Sequence, residues 1–138
     1  MSTLRTNALE GVDAKNSITI VAGAGNITTT NVQQGLAMSW VNFDGTATDA
    51  EARDSFNVST MTDTTTGNYV VNFSNNMGNG NFSGVAIQGN NNASNAGVNA
   101  TIAVGHTASS ASGIETSNLS QSNIDYAQIS AVYHGDLA

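Results

Sequence analysis

Four carboxylates, Asp44, Asp49, Glu51 and Asp54, are packed into the stretch "SWVNFDGTATDAEARDSFNVS" of residues 39 to 59, with Arg53, one of only three basic residues, among them. An acidic, glycine-containing loop is the kind of segment that can hold calcium, a hard cation that takes several oxygen ligands. The spacing is not that of an EF-hand: Gly45 follows Asp44 directly, and no acid stands two or four places after it. The simpler reading is a solvated, outward-facing turn over residues 44 to 54, with Arg53 pairing to its neighbour Asp54 or serving as a contact residue.

The other chemistry-bearing residues are sparse. His106, in "AVGHTASS", has no second imidazole beside it to chelate a metal, and it is expected at an interface between chains or in the core. His134 lies near Asp125, Asp136 and several serines, the raw material of a hydrolytic triad, yet no G-x-S-x-G elbow occurs. "GAGNIT", from Gly23, lacks the third glycine and the helix of a phosphate loop, so it is a turn. Paired carboxylates for glycoside cleavage need a cleft, and the acids here fall in turns. With no cysteine there are no disulfides, thiolate metal sites or thiol nucleophiles. The expectation is a non-enzyme with no cofactor and no metal.

The elements that position these residues read as strands. Tyr69, Val71 and Phe73 alternate with Val70 and Asn72, and Phe56 and Val58 alternate with polar neighbours. Met38 and Trp40 oppose Val41 and Phe43 in parity, which predicts a strand covered on both faces with Trp40 in the core, and Phe56 in the next buried strand. Further strands are expected at Ser17 to Val21, Phe82 to Gln88, Val98 to Val104 and Ile124 to Tyr133. Thr62 to Asn68, with Asp63 and Gly67, and Gly78-Asn79-Gly80 supply turns. Thr48-Asp49-Ala50-Glu51 matches a capping box and predicts one short helical turn. "QGNNNASNAGVN", residues 88 to 99, is expected to be a long exposed loop, with Asn90, Asn91 and Asn92 as outward contacts.

Composition narrows the partners. A chain of 138 residues has room for one domain with a real core, but only 9% of its residues are charged and Asn, Ser, Thr and Gly fill the gap. The net charge of −7 repels phosphate backbones and anionic lipid, which argues against nucleic acid and membrane insertion. Seven Asn-x-Ser/Thr triplets follow from the abundance of those residues rather than from glycosylation. No apolar stretch has the length of a membrane span, and the first ten residues lack the apolar stretch of a secretory signal, so a soluble product made inside the cell is expected.

Several of these stretches, in order, resemble a module that recurs in tail-fibre-like and other virion structural proteins of tailed bacteriophages, particularly those of marine bacteria. They are "AMSWVNFDGT" (Ala37 to Thr46), "RDSFNVS" (Arg53 to Ser59), "TDTTTGNYVVNF" (Thr62 to Phe73) and the "NMGNGNF" turn ending at Phe82. The opening "MSTLRTNALEG" and the ending "AVYHGDLA" are similar as well, while Ile87 to Asn123 is unmatched. The chain departs from the family pattern at "ATDAEA", polar and one residue longer, which favours the exposed turn.

The resemblance implies a virion component, a homotrimer whose N-terminal arm attaches to the particle or to the preceding fibre part while its β domain faces outward. The expected fold is all-β, a small antiparallel, jelly-roll-like β-sandwich over residues 37–138 preceded by an extended arm over 1–36. Partners are other copies of itself, other virion proteins through the arm, and a host cell-surface glycan through the loops that carry Asp44, Asp49, Glu51, Arg53 and Asn90 to Asn92. Two other functions fit the same residues: a head decoration or connector protein without a receptor role, and a monomeric carbohydrate-binding module.

Overall fold

The computed structural model describes residues 19–22, 28–31, 36–89 and 100–138. Strands β1 (Thr19–Ala22) and β2 (Thr28–Asn31) pair antiparallel. Eight further strands form two antiparallel sheets of four. The first has the order β4 (Glu51–Phe56), β3 (Ser39–Asp44), β10 (Gln128–His134), β7 (Ser83–Gly89). The second runs β5 (Val58–Thr65), β6 (Asn68–Phe73), β9 (Ala111–Asn118), β8 (Ala100–Ala108). The protein is all-β, and no helix occurs among the described residues.

Period two sorts the side chains. Val41 and Phe43 of β3, Ile129, Ala131 and Tyr133 of β10, Tyr69, Val71 and Phe73 of β6, and Ile114 of β9 share one buried cluster, so the two sheets face each other across a single core. Ring edges join them: Phe43 meets Tyr69 at 5.0 Å between centroids, and Phe73 meets Tyr133 at 5.3 Å. Such T-shaped pairs add about 0.5–1.5 kcal/mol each beyond the area they bury. The inward polar side chains are small and bond to backbone: Ser39 Oγ donates to the Phe56 carbonyl at 3.1 Å, and Thr116 Oγ1 to the Ile124 carbonyl at 2.7 Å.

Four features differ from the sequence reading. Hairpins β3–β4, β5–β6 and β8–β9 lie within single sheets, whereas a jelly roll sends most successive strands to opposite sheets. The predicted strand through Phe56 and Val58 is two strands, because Asn57, at φ 57°, turns the chain out of the first sheet and into the second. The predicted strand Ile124 to Tyr133 is irregular up to Ala127 and becomes β10 only at Gln128. Strand β9 was not anticipated. Of the arm over 1–36, only β1, β2 and Leu36 fall within the described residues, and the first residues of the strand predicted at Ser17 fall outside them.

The strand directions give the two sheets two distinct ends. At one lie the Gly45–Ala50 loop, the Thr66-Gly67 turn, residues 119–127, the end of β7 and the start of β8. At the other lie Leu36, the Asn57 corner, residues 74–82 and the C-terminal tail.

Candidate functional site

At the Gly45 end, the loop predicted over 44 to 54 stops at Ala50. Glu51 pairs with Asp44 as the first residue of β4, so the capping-box helical turn does not form. Ala50 is 5% exposed and Ala52 packs against the core. This small apolar alternation, together with the ladder to β3, outweighs the helix preference of Ala, Glu and Arg. Asp49 is exposed in the loop.

Arg53 is a bulged residue: Asn42 pairs with Asp54 and Phe43 with Ala52, leaving Arg53 without a partner in the ladder. The bulge sends its guanidinium across the end of β3 rather than toward Asp54. It donates to Asp44 Oδ2 at 2.7 Å, to the Phe43 carbonyl at 3.1 Å and to the Ala127 carbonyl at 2.6 Å. Asp44 Oδ1 accepts from the Thr46 hydroxyl at 2.6 Å and the Thr46 amide at 2.9 Å. The Thr46 bonds first, and Arg53 after them, hold the Asp44 carboxyl below its ordinary range. Both oxygens are therefore engaged by donors, which removes Asp44 as a free cation ligand.

A second tie at this end was not legible from spacing. Asp125 Oδ1 accepts from the Tyr69 hydroxyl at 2.6 Å and from the Gly67 amide at 2.6 Å, joining the β5–β6 hairpin to the segment before β10. Gly45 fits beneath it, since a Cβ there would press on the Tyr69 ring and come within 2.9 Å of Ile129 Cδ1. Burial, then the Asp125 bond, pushes the Tyr69 hydroxyl well above its ordinary pKa.

The outward face of the first sheet corrects the aromatic assignment. Phe43 is buried as expected, but Trp40 points the other way and is half-buried, and Phe56 is 53% exposed. The register aligns Phe56, Trp40, Val132 and Val85 in one row across all four strands. Ile87 extends this apolar band by one row on the β7 side, with Val85 and Ile87 at 61% and 69% exposure. The neighbouring row also holds Asp54, Asn42 and Ser130, with Asn42 Nδ2 donating to Ser130 Oγ at 2.7 Å. The result is one aromatic and aliphatic row that crosses all four strands, with Ile87 beside it, on the face turned away from the core.

At the Leu36 end, a pocket of about 280 Å³ opens between the 78–83 turn and the C-terminal tail, lined by Asn79, Asn81 and Ser83 on one side and His134 and Asp136 on the other. It is not a hydrolytic triad. His134 Nδ1 lies 3.1 Å from the Leu36 carbonyl, which takes the place a triad gives to a carboxylate, and Asp125 is tied to Tyr69 at the opposite end. His106 lies on β8, an edge strand, opposite Ser112. Asn90, Asn91 and Asn92 lie outside the described residues, but β7 ends and β8 begins at the Gly45 end.

Compared with known proteins, the chain matches no family model, no curated protein and no solved structure.

Proposed function

We propose that the chain is a non-catalytic structural subunit of a tailed-bacteriophage virion, a trimeric fibre or appendage component that self-associates through the outward face of the β4-β3-β10-β7 sheet. The observation that carries the reading is the Phe56, Trp40, Val132, Val85 row with Ile87 beside it. Covering large apolar side chains of this kind stabilises association by roughly 1–2 kcal/mol each. The Phe56, Trp40, Val132, Val85 row carries no charge, and Asp54 in the row of Ile87 is the charge beside it, so copies of a chain with net charge −7 can meet along the row.

The arrangement of ends supports the rest of the proposal. The chain enters the two sheets at Leu36, while the Asp44, Asp49, Glu51 and Arg53 region lies at the far end, where residues 90–99 also begin and end. An arm anchored to the particle before Leu36 leaves the Gly45 end facing the host, where a surface glycan is the proposed contact. Antibody labelling of whole particles tests this directly. Label on tail or collar fibres supports the proposal, and label confined to the capsid favours a decoration protein.

A second reading, a monomeric carbohydrate-binding module, is favoured by the same Trp40 and Phe56, since aromatic faces on a flat sheet stack against sugar rings. Light scattering separates the two readings: three chain masses of 14.1 kDa for the fibre subunit, one for the module.

A further inference from the structure

We propose that the pocket at the Leu36 end is a binding site for a single neutral sugar ring. The inference does not rest on the virion reading and holds equally for a monomer. At about 280 Å³ the pocket is smaller than those that enclose drug-sized ligands, and suits one six-membered ring with its hydroxyls. Among the described residues that line it there is no Lys or Arg, while Asp136 brings a negative charge, so phosphorylated or carboxylated ligands are disfavoured.

The hydrogen-bonding groups match vicinal hydroxyls, each of which donates once and accepts from others. His134 Nδ1 lies against the Leu36 carbonyl; with the proton on Nδ1 to make that bond, Nε2 keeps its lone pair. Asp136 lines the pocket with a carboxylate that receives no hydrogen bond among the described residues, and its Oδ1 is buried. Ser83 stands opposite His134 in the β7–β10 ladder and adds a hydroxyl that both donates and accepts. Asn79 Oδ1 is fixed by the Asn81 amide at 2.7 Å, which sets that wall.

The walls are locked together before any ligand arrives. The Gly78 amide donates to the Asp136 carbonyl at 2.6 Å, the Ala138 amide to the Asn76 carbonyl at 2.9 Å, and Met77 bridges to Leu137. Little ordering cost remains for binding. A divalent cation is the poorer fit, because a single carboxylate lines the pocket and hard cations recruit several charged or carbonyl oxygens.

The test is saturation-transfer and amide-shift NMR on the full chain with the methyl glycosides of glucose, galactose and N-acetylglucosamine, and separately with calcium chloride. At least one glycoside is expected to bind with millimolar affinity, shifting amides only in 78–83 and 134–136. Asp136→Asn, at a side chain that makes no hydrogen bond among the described residues, is expected to weaken it at least tenfold with an unchanged melting temperature. Asn81→Ala, on the opposite wall, is expected to weaken it as well and serves if the first variant is unstable. Four results overturn the proposal: no glycoside of the panel binds, the shifts centre on Trp40, calcium alone shifts the pocket amides, or both variants bind like the parent.

Discussion

Trp40 stands directly across from Phe56 on the outward face of the first sheet, and Val132 flanks Trp40 on its other side. A cross-strand aromatic pair contributes about 0.2–1 kcal/mol to the sheet by itself. The remaining apolar surface of the row faces solvent in a single chain, and this is why the proposed assembly is placed here rather than at the charged loop.

Arg53 ties β4 and β3 to the segment that leads into β10, from a bulge. Arg53→Ala removes one ion pair and two bonds to carbonyls, and Arg53→Lys cannot span the same three acceptors. Both side chains of the pair are partly solvated, so we expect a loss of about 1–2 kcal/mol for the alanine variant in urea denaturation. Because the Asp44 carboxyl is lowered in the folded chain, its contribution is present above the ordinary value of 3.8 and disappears as pH falls through the folded value. The difference in stability between parent and Arg53→Ala should therefore shrink in acid.

Asn57 is the corner at which one sheet passes into the other. Its Nδ2 donates to the Met38 carbonyl at 3.0 Å and the Asn75 carbonyl at 3.1 Å, while its Oδ1 accepts from the Asn75 amide at 2.7 Å. Asn57→Ala loses these bonds and places a β-carbon at positive φ without compensation, an expected cost of about 3 kcal/mol. Asn57→Gly keeps the backbone conformation and should recover about 1 kcal/mol of it. Equal losses for the two variants in thermal denaturation would show that the left-handed backbone is not a source of the cost.

Two tyrosines report on alkaline stability. Burial pushes Tyr133 up to about 12, and burial with the Asp125 bond raises Tyr69. The folded chain keeps both protons where the unfolded chain loses them near 10.0, so stability is intact below that value and falls as pH rises through the folded values. Ultraviolet titration should show these two phenols ionising late and together with unfolding. Tyr69→Phe, which leaves Asp125 with the Gly67 amide alone, should cost about 1–2 kcal/mol at neutral pH.

Much of the strand content was legible where the alternation uses large residues, as in Tyr69, Val71 and Phe73; a turn was legible from Gly67, which adopts φ 71°, but it is only Thr66-Gly67 rather than Thr62 to Asn68, because Thr62 to Thr65 belong to β5. Alternation of small residues was not legible: β9 points Ser112, Ile114 and Thr116 inward, and the entry to β4 alternates Ala50 and Ala52 around Glu51. Parity could show that Trp40 and Phe43 oppose each other but not which face meets the second sheet, and buried Val41 and Ser39 decided it. Arg53 was placed with Asp54 because they adjoin in sequence, yet a one-residue bulge redirected it to Asp44. The Tyr69–Asp125 tie joins residues too far apart for any local pattern to mark.

Sedimentation equilibrium of the parent chain and the double variant Trp40→Ser/Phe56→Ser tests the central claim most directly. Both side chains point outward, so the variant should fold with the same circular dichroism. The account predicts a parent of three chain masses at micromolar concentration and a variant of one. A parent that stays at 14.1 kDa throughout, or a variant that remains trimeric, contradicts it.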